Sequence, residues 1–343
     1  MRNLTLLIFL NLLIFSVAKG QIGGEYTYSF LNLTNSARMA ALGGNQIAIN
    51  DSADLNVSYN NPSLLKPDMR NQLSVNYVDY FAGINYGYAS YSFGTPLPGN
   101  FAVGVHYINY GKFTEALETG EKTGSTFGAA EYALNLIWAN TYKQFTYGVT
   151  LKPILSTMEN YQSFGLAADL GITYFGKSSG TTLAIVARNV GTQLKTYYDG
   201  AEKETIPFDL QVGLSQRLQH APIRLAATLQ HLQKWNLAKP EEDNSGATTV
   251  YKEDSFTKKF MRHMVLGVEL LPSPNFTIRA GYNYQLRQEM KLAEKMSTVG
   301  FSWGFGFRIK RFQISYGSAR YSLAGSSNLI SVAINLNDGL RKN

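Results

Sequence analysis

Two stretches decide the fold: Phe145-Thr146-Tyr147-Gly148-Val149-Thr150-Leu151, and Phe164-Gly165-Leu166-Ala167-Ala168-Asp169-Leu170-Gly171-Ile172-Thr173-Tyr174. In the first and in most of the second, large apolar residues alternate with Gly, Thr, Ala or Asp. Side chains of a strand point alternately to opposite faces, so this period of two describes strands with one apolar and one small or polar face. Working outward, the same period recurs near 73–80, 84–93, 101–109, 131–139, 181–190, 208–217, 223–231, 263–271, 276–285, 297–309, 312–320 and 328–336. That gives about fourteen strands, an even number, as single-chain bacterial barrels have.

Charge fixes which face is which. Lys152, Arg188, Arg224, Arg279 and Arg308 all fall on the small and polar face, as do Asp169, Asp209 and Glu269. A Lys or Arg at mid-bilayer on a barrel's lipid face costs roughly 2–4 kcal/mol, so the reverse register would cost on the order of 10 kcal/mol or more. The apolar face is therefore outside, in lipid, and the charges line a lumen. The reading is an all-β chain forming a transmembrane antiparallel β-barrel. A soluble two-sheet sandwich is the competing arrangement of alternating strands. It gives little reason for one face to carry Tyr86, Tyr88, Trp138, Trp303 and Phe305 while the other is rich in Gly.

Connections alternate in length. They are short around 94–100, 140–144, 176–180, 218–222, 272–275 and 310–311, and long and polar around 110–130, 191–207, 232–262 and 286–296. Short periplasmic turns and long outer loops are the pattern of outer-membrane barrels, with both termini in the periplasm. The short 81–83 connection is the exception. Composition agrees: charged residues make up 16% and aromatics 13%, so part of the surface does not face water.

The chain opens with a secretory leader at residues 1–20: Arg2, an apolar run Leu4–Val17, and small residues Ala18 and Gly20 before Gln21. The absence of Cys excludes a lipoprotein, disulfides and thiolate sites. Net charge is +7, or +5 once Arg2 and Lys19 leave with the leader, and the dispersed basic residues give no nucleic-acid footprint. Residues 21–70 differ from the barrel at 71–343. SARMAALGG at 36–44 reads as a short helix capped by Ser36 and stopped by Gly43 and Gly44, and Asn60, Asn61 and Pro62 read as a turn. This segment is read as a plug or hatch.

Catalytic chemistry finds no support in the motifs. The four histidines, His106, His220, His231 and His263, are dispersed, no Ser sits in a G-x-S-x-G elbow, and GFSWGFGFR at 300–308 alternates as a strand. No enzyme activity, cofactor or metal is expected. The interior charges Arg188, Asp209 and Arg224 belong to successive strands and are expected to pair with each other or with the plug. Tyr197, Tyr198 and Trp235, in polar outer loops, are the partner-binding candidates, with loop packing as the alternative.

GGEYTYSFLNLTNSARMAALGGNQIAI at 23–49, NNPSLL at 60–65, YINYGKF at 107–113, EYALNLIWA at 131–139, NYQSFGLAADLGITY at 160–174 and HLQKWNL at 231–237 resemble the PorQ family of the type IX secretion system. The mature chain is more distantly similar to FadL long-chain fatty-acid transporters, whose hatch has an Asn-Pro-Ala turn where this chain has Asn61, Pro62 and Ser63. The resemblance implies a non-enzymatic outer-membrane component of the machinery that attaches exported cargo to the surface. Its implied partners are outer-membrane lipid, a surface PorZ-like protein and PorU- and PorV-like components. Two functions stand as expectations: a surface-anchoring barrel closed by its plug, or a FadL-like transporter of small hydrophobic ligands.

Overall fold

The computed structural model describes residues 26–51, 54–80, 83–117, 119–176, 179–238, 254–290, 298–322 and 325–337. The leader, the position of Gln21 and the NDGLRKN end from Asp338 onward lie outside the described residues.

Fourteen antiparallel strands close into one barrel, each bonded to its sequence neighbours and β1 to β14. They are β1 Gln72–Asp79, β2 Asn85–Phe93, β3 Asn100–Ala116, β4 Lys122–Tyr142, β5 Phe145–Met158, β6 Tyr161–Phe175, β7 Thr181–Lys195, β8 Asp209–Arg217, β9 Ile223–Leu229, β10 Met264–Ser273, β11 Phe276–Asn283, β12 Phe301–Ile309, β13 Phe312–Ser322 and β14 Gly325–Asn335. Full closure removes both sheet edges, which a strand-built membrane protein requires because lipid offers backbone groups no hydrogen-bond partner. The sandwich is thereby excluded. Gln72 of β1 opposes Asn335 of β14, so the chain enters and leaves the barrel at the end that carries the short turns.

The faces follow the sequence period except on β2, where Tyr86 and Tyr88, read on the apolar outer face, point into the lumen and pack against the N-terminal segment and His106. Tyr147, Leu151, Leu155, Leu170, Ile172, Leu183, Ile185, Val212, Leu214, Ile278, Trp303 and Ile330 are exposed on the outside, as lipid-facing residues are. Asp169 is fully buried in the lumen. Arg308 shares the inner parity of Gly304 and Gly306 but lies at the barrel mouth and is exposed.

The lumen is occupied by residues 26–51 and 54–70. Ser36 caps the helix Ala37–Ala41 by accepting from the Met39 amide. Residues 37–42 are buried, and Met39, Leu42, Ile49, Leu55, Val57, Leu64, Leu65 and Met69 form a core with Ala102, Ile137 and Ala226 of the wall. Inner-face glycines make the space. A Cβ on Gly281 would lie 2.1 Å from the Gly43 nitrogen, on Gly317 2.2 Å from the Ala37 carbonyl oxygen, on Gly171 2.3 Å from Asn61 Oδ1 and on Gly148 2.5 Å from the Pro62 carbonyl carbon. At Gly148, Gly281 and Gly317 the backbone of the segment thus rests directly on the backbone of the wall, a contact only glycine permits.

Three expectations need correction. The 110–130 connection is mostly strand: β3 runs to Ala116 and β4 starts at Lys122, and their bulged ends pair as a hairpin exposed on both faces. Its polarity reflects water on both sides. The long 232–262 and 286–296 loops contain the helices Phe256–Arg262 and, starting within the segment read as strand 276–285, Tyr284–Glu289, while 239–253 and 291–297 lie outside the described residues. The segment read from 297 enters the barrel only at Phe301.

Gly281→Ala is expected to unseat the N-terminal segment while leaving the barrel closed. Overpacking of this kind costs about 1–3 kcal/mol, read as a lower thermal midpoint in detergent and faster proteolysis within 26–70. Gly128→Ala, whose added Cβ meets nothing closer than 3.7 Å, serves as the neutral comparison. Equal behaviour of the two variants would refute a backbone-on-backbone seat.

Candidate functional site

Two buried charge networks join the N-terminal segment to the wall. The first centres on Glu269 of β10. Its register partners on the flanking strands are Arg224 of β9 and Arg279 of β11. Arg224 Nη1 donates to Oε2 at 2.6 Å and Arg279 Nε to Oε1 at 2.9 Å. From the helix Ala37–Ala41, Arg38 adds a two-toothed contact, Nε to Oε1 and Nη2 to Oε2, both 2.8 Å. Its remaining Nη1 reaches Asp51 at 2.8 Å and Asp54 at 3.3 Å. Burial opposes the charge on Arg38, but Glu269, Asp51 and Asp54 hold its pKa well above the ordinary value. Three guanidiniums face three carboxylates, so each buried charge is compensated.

The second network lies on β5–β7. Lys152 Nζ pairs with Asp169 at 2.6 Å and donates to Asn189 Oδ1 at 3.0 Å, while the Asn189 amide donates to Asp169 Oδ1 at 2.8 Å. Tyr59, in the short helix Val57–Asn60, sits against this group. The Lys152 ammonium and the Arg188 guanidinium lie 5.4 and 5.5 Å from its ring centroid, within cation–π range. Its phenol is hydrogen-bonded to His106 Nδ1 at 2.8 Å, and burial pushes its pKa above the usual tyrosine range, so it stays neutral.

Arg188, Asp209 and Arg224 do not pair with one another, and the two arginines reach the N-terminal segment instead, at the Leu31 and Asn50 carbonyls. Arg188 and Asp209 are directly opposed across β7 and β8, yet Asp209 accepts from the His231 amide at 2.6 Å and lies 3.2 Å from the His231 ring. Arg188 donates instead to the Leu31 carbonyl and Arg224 to Glu269. The charge ladder that does form is one strand pair further on, at Arg224, Glu269 and Arg279.

Asn61 and Pro62 form the seat of the segment. Asn61 Oδ1 accepts from the Ser63 amide and hydroxyl, and Asn61 Nδ2 donates to the Ile47 carbonyl and to Thr173 Oγ1 on β6. Of the three loop aromatics, Tyr197 packs inward, its hydroxyl donating to Ser156 Oγ at 2.6 Å. Tyr198 is 59% exposed beside Tyr161, and Trp235 is 43% exposed, stacked on His263 at 5.0 Å. Arg38, Asp51 and Asp54 were not singled out from the sequence. The available signal was a lone Arg in a small-residue helix, which requires a buried partner.

No family model matches the chain, and no curated protein does. Solved structures match over nearly its whole length. The CymD monoaromatic hydrocarbon channel is 14% identical, with 90% of this chain and 97% of that one covered at a TM-score of 0.52. The TodX monoaromatic hydrocarbon channel deltaS2 mutant is 13% identical, with 88% and 98% covered at 0.50. The P. putida toluene transporter TodX is 14% identical, with 89% and 99% covered at 0.49. The chain is therefore an outer-membrane β-barrel that shares its fold with these channels.

Glu269→Gln leaves three guanidiniums around a neutral amide. Breaking a buried pair by removing one partner costs about 3–5 kcal/mol, expected as a reduced denaturant midpoint in micelles. Lumenal Ser315→Ala, which removes only a 3.5 Å contact to Arg279, is expected to cost far less. A Glu269→Gln midpoint equal to wild type would show that the network does not hold the segment.

Proposed function

We propose that this barrel is a closed, non-catalytic scaffold of the outer membrane whose outer loops hold a surface partner, as a component of type IX-class secretion and surface attachment. The observation that carries this reading is the filled lumen. Residues 26–51 and 54–70 rest on glycine backbone on several strands and are pinned at Glu269 and at His106. A barrel so filled presents its loops on a rigid base, where recognition usually sits. Tyr198, Trp235 and the PorQ-like segments support the same reading, and a PorZ-like surface protein with PorU- and PorV-like components is the partner class they suggest.

The fold likeness to CymD and TodX favours a second reading more directly than the first: passage of small hydrophobic ligands. In this chain the corresponding route would run through the cluster of Tyr80, Tyr86, Ile108 and Ile154, which Phe30 and Leu31 of the N-terminal segment fill. Displacement of residues 26–33 would have to open it.

Replacing 239–253 by a short Gly-Ser linker is expected to leave the barrel inserted while a surface-attached protein is released into the medium. Liposomes carrying the wild-type protein are expected to pass toluene no faster than protein-free liposomes. Retention of all surface proteins by the variant, together with accelerated toluene passage by wild type, would replace the scaffold reading with the transport reading.

A further inference from the structure

The periplasmic mouth carries cations that the buried network leaves uncompensated. Between the β8–β9, β10–β11 and β12–β13 hairpins and the N-terminal segment lies a cleft of about 470 Å³. Arg217, Arg224, Arg279 and Arg308 line it, and Asp51 is the one acid among its lining residues. Arg224 and Arg279 are committed to Glu269. Asp51 is held by Arg38 at 2.8 Å and stands 4.0 Å from Arg224. No side-chain hydrogen bond or ion pair joins Arg217 or Arg308 to another described residue. Gly306 keeps the cleft open beside Arg279, since a Cβ there would lie 2.8 Å from Arg279 Nη1. Ser273, Thr277 and Gln313 add neutral hydrogen-bond donors to the lining.

We propose that this cleft is a phosphate-binding site, with Arg217 and Arg308 as its ligands beside the charge-compensated network of Arg224, Glu269 and Arg279. Guanidinium forks match the oxygen geometry of a phosphate and bind it in two-toothed fashion. Two unpartnered guanidiniums in a cleft with one committed acid leave a charge surplus that one phosphate group neutralises. The group arrives by either of two routes. A free phosphate or phosphomonoester enters from the periplasm. Alternatively, an inner-leaflet lipid places its headgroup over the 310–311 turn, where Lys310 and Arg311 adjoin Arg308 in a neighbouring hollow.

The test compares wild type, the double variant Arg217→Gln/Arg308→Gln, and Lys143→Gln, a basic change in the β4–β5 turn at the same end. Neither mouth arginine belongs to the Glu269 network, so the double variant is expected to keep wild-type heat-modifiable gel mobility and thermal midpoint. In neutral detergent at fixed ionic strength, calorimetric titration with inorganic phosphate and with glycerol 3-phosphate is expected to show saturable binding. Loss of the two charge-assisted contacts is expected to weaken it by about tenfold or more, with Lys143→Gln unchanged. In a second arm, native mass spectrometry counts phosphatidylglycerol retained from mixed nanodiscs. Retention lost in the double variant identifies the headgroup as the source, and phosphate binding without retention identifies a soluble phosphate. Absence of saturable binding in both arms overturns the proposal, as does equal binding by wild type and the double variant.

Discussion

The structure depends on how closely a chain can approach the inside of its own barrel. Fourteen strands enclose a lumen that a segment of about fifty residues fills only if the wall is stripped of side chains where the segment touches it. Gly148, Gly281 and Gly317 do this, bringing backbone against backbone at Pro62, Gly43 and Ala37, and Gly171 does it for the Asn61 side chain. The same bareness would leave voids if the segment were absent. Wall and segment therefore specify one another: the small face that a lipid-facing strand must hide becomes the mould for the N-terminal turns.

Packing of this sort fixes height and tilt, and the buried charges fix rotation. Arg38 can satisfy Glu269, Asp51 and Asp54 together only with its helix in one orientation, because its Nε–Nη2 edge and its Nη1 point to different acids. Buried ion pairs contribute little net stability once desolvation is counted, but a missing partner is costly. The network thus penalises misplacement more than it rewards assembly. Tyr59 plays the same part on the opposite wall, where an aromatic face lies under two cations and its hydroxyl meets His106.

Strand parity was legible wherever a charge marked the inner face, and so were the fourteen-strand count, the Ser36 cap and the inward position of Asp169; on the uncharged β2 it was misread, because Tyr86 and Tyr88 are large inner-face residues that fill the lumen. Height along the barrel was not legible. Arg188, Asp209 and Arg224 share a face, but period-two alternation says nothing about which rotamers meet, and His231 captured Asp209 from a neighbouring loop. The hairpin at 110–130 was misread for a related reason: once a strand leaves the membrane both faces are wet, and the alternation that identifies strands disappears. Arg38 was invisible as a site because its partner lies 231 residues away.

That hairpin reveals an asymmetry that bears on function. On β4 the exposed apolar positions run from Tyr132 to Tyr142, about the 9–11 residues a tilted strand needs to cross a bilayer, so Lys122–Thr126 stands well outside it. Strands β3 to β7 are 14 to 21 residues long, whereas β8 to β14 have 7 to 11. The outer end is thus a high wall on one side. On the low side, the helices Phe256–Arg262 and Tyr284–Glu289 lie in the connections, and the exposed ring of Trp235 packs between His263 and Phe256. The raised sheet and the aromatic ring beside it are two surfaces on one closed barrel, and the segment filling the lumen beneath them ties the strands that carry them to a common core.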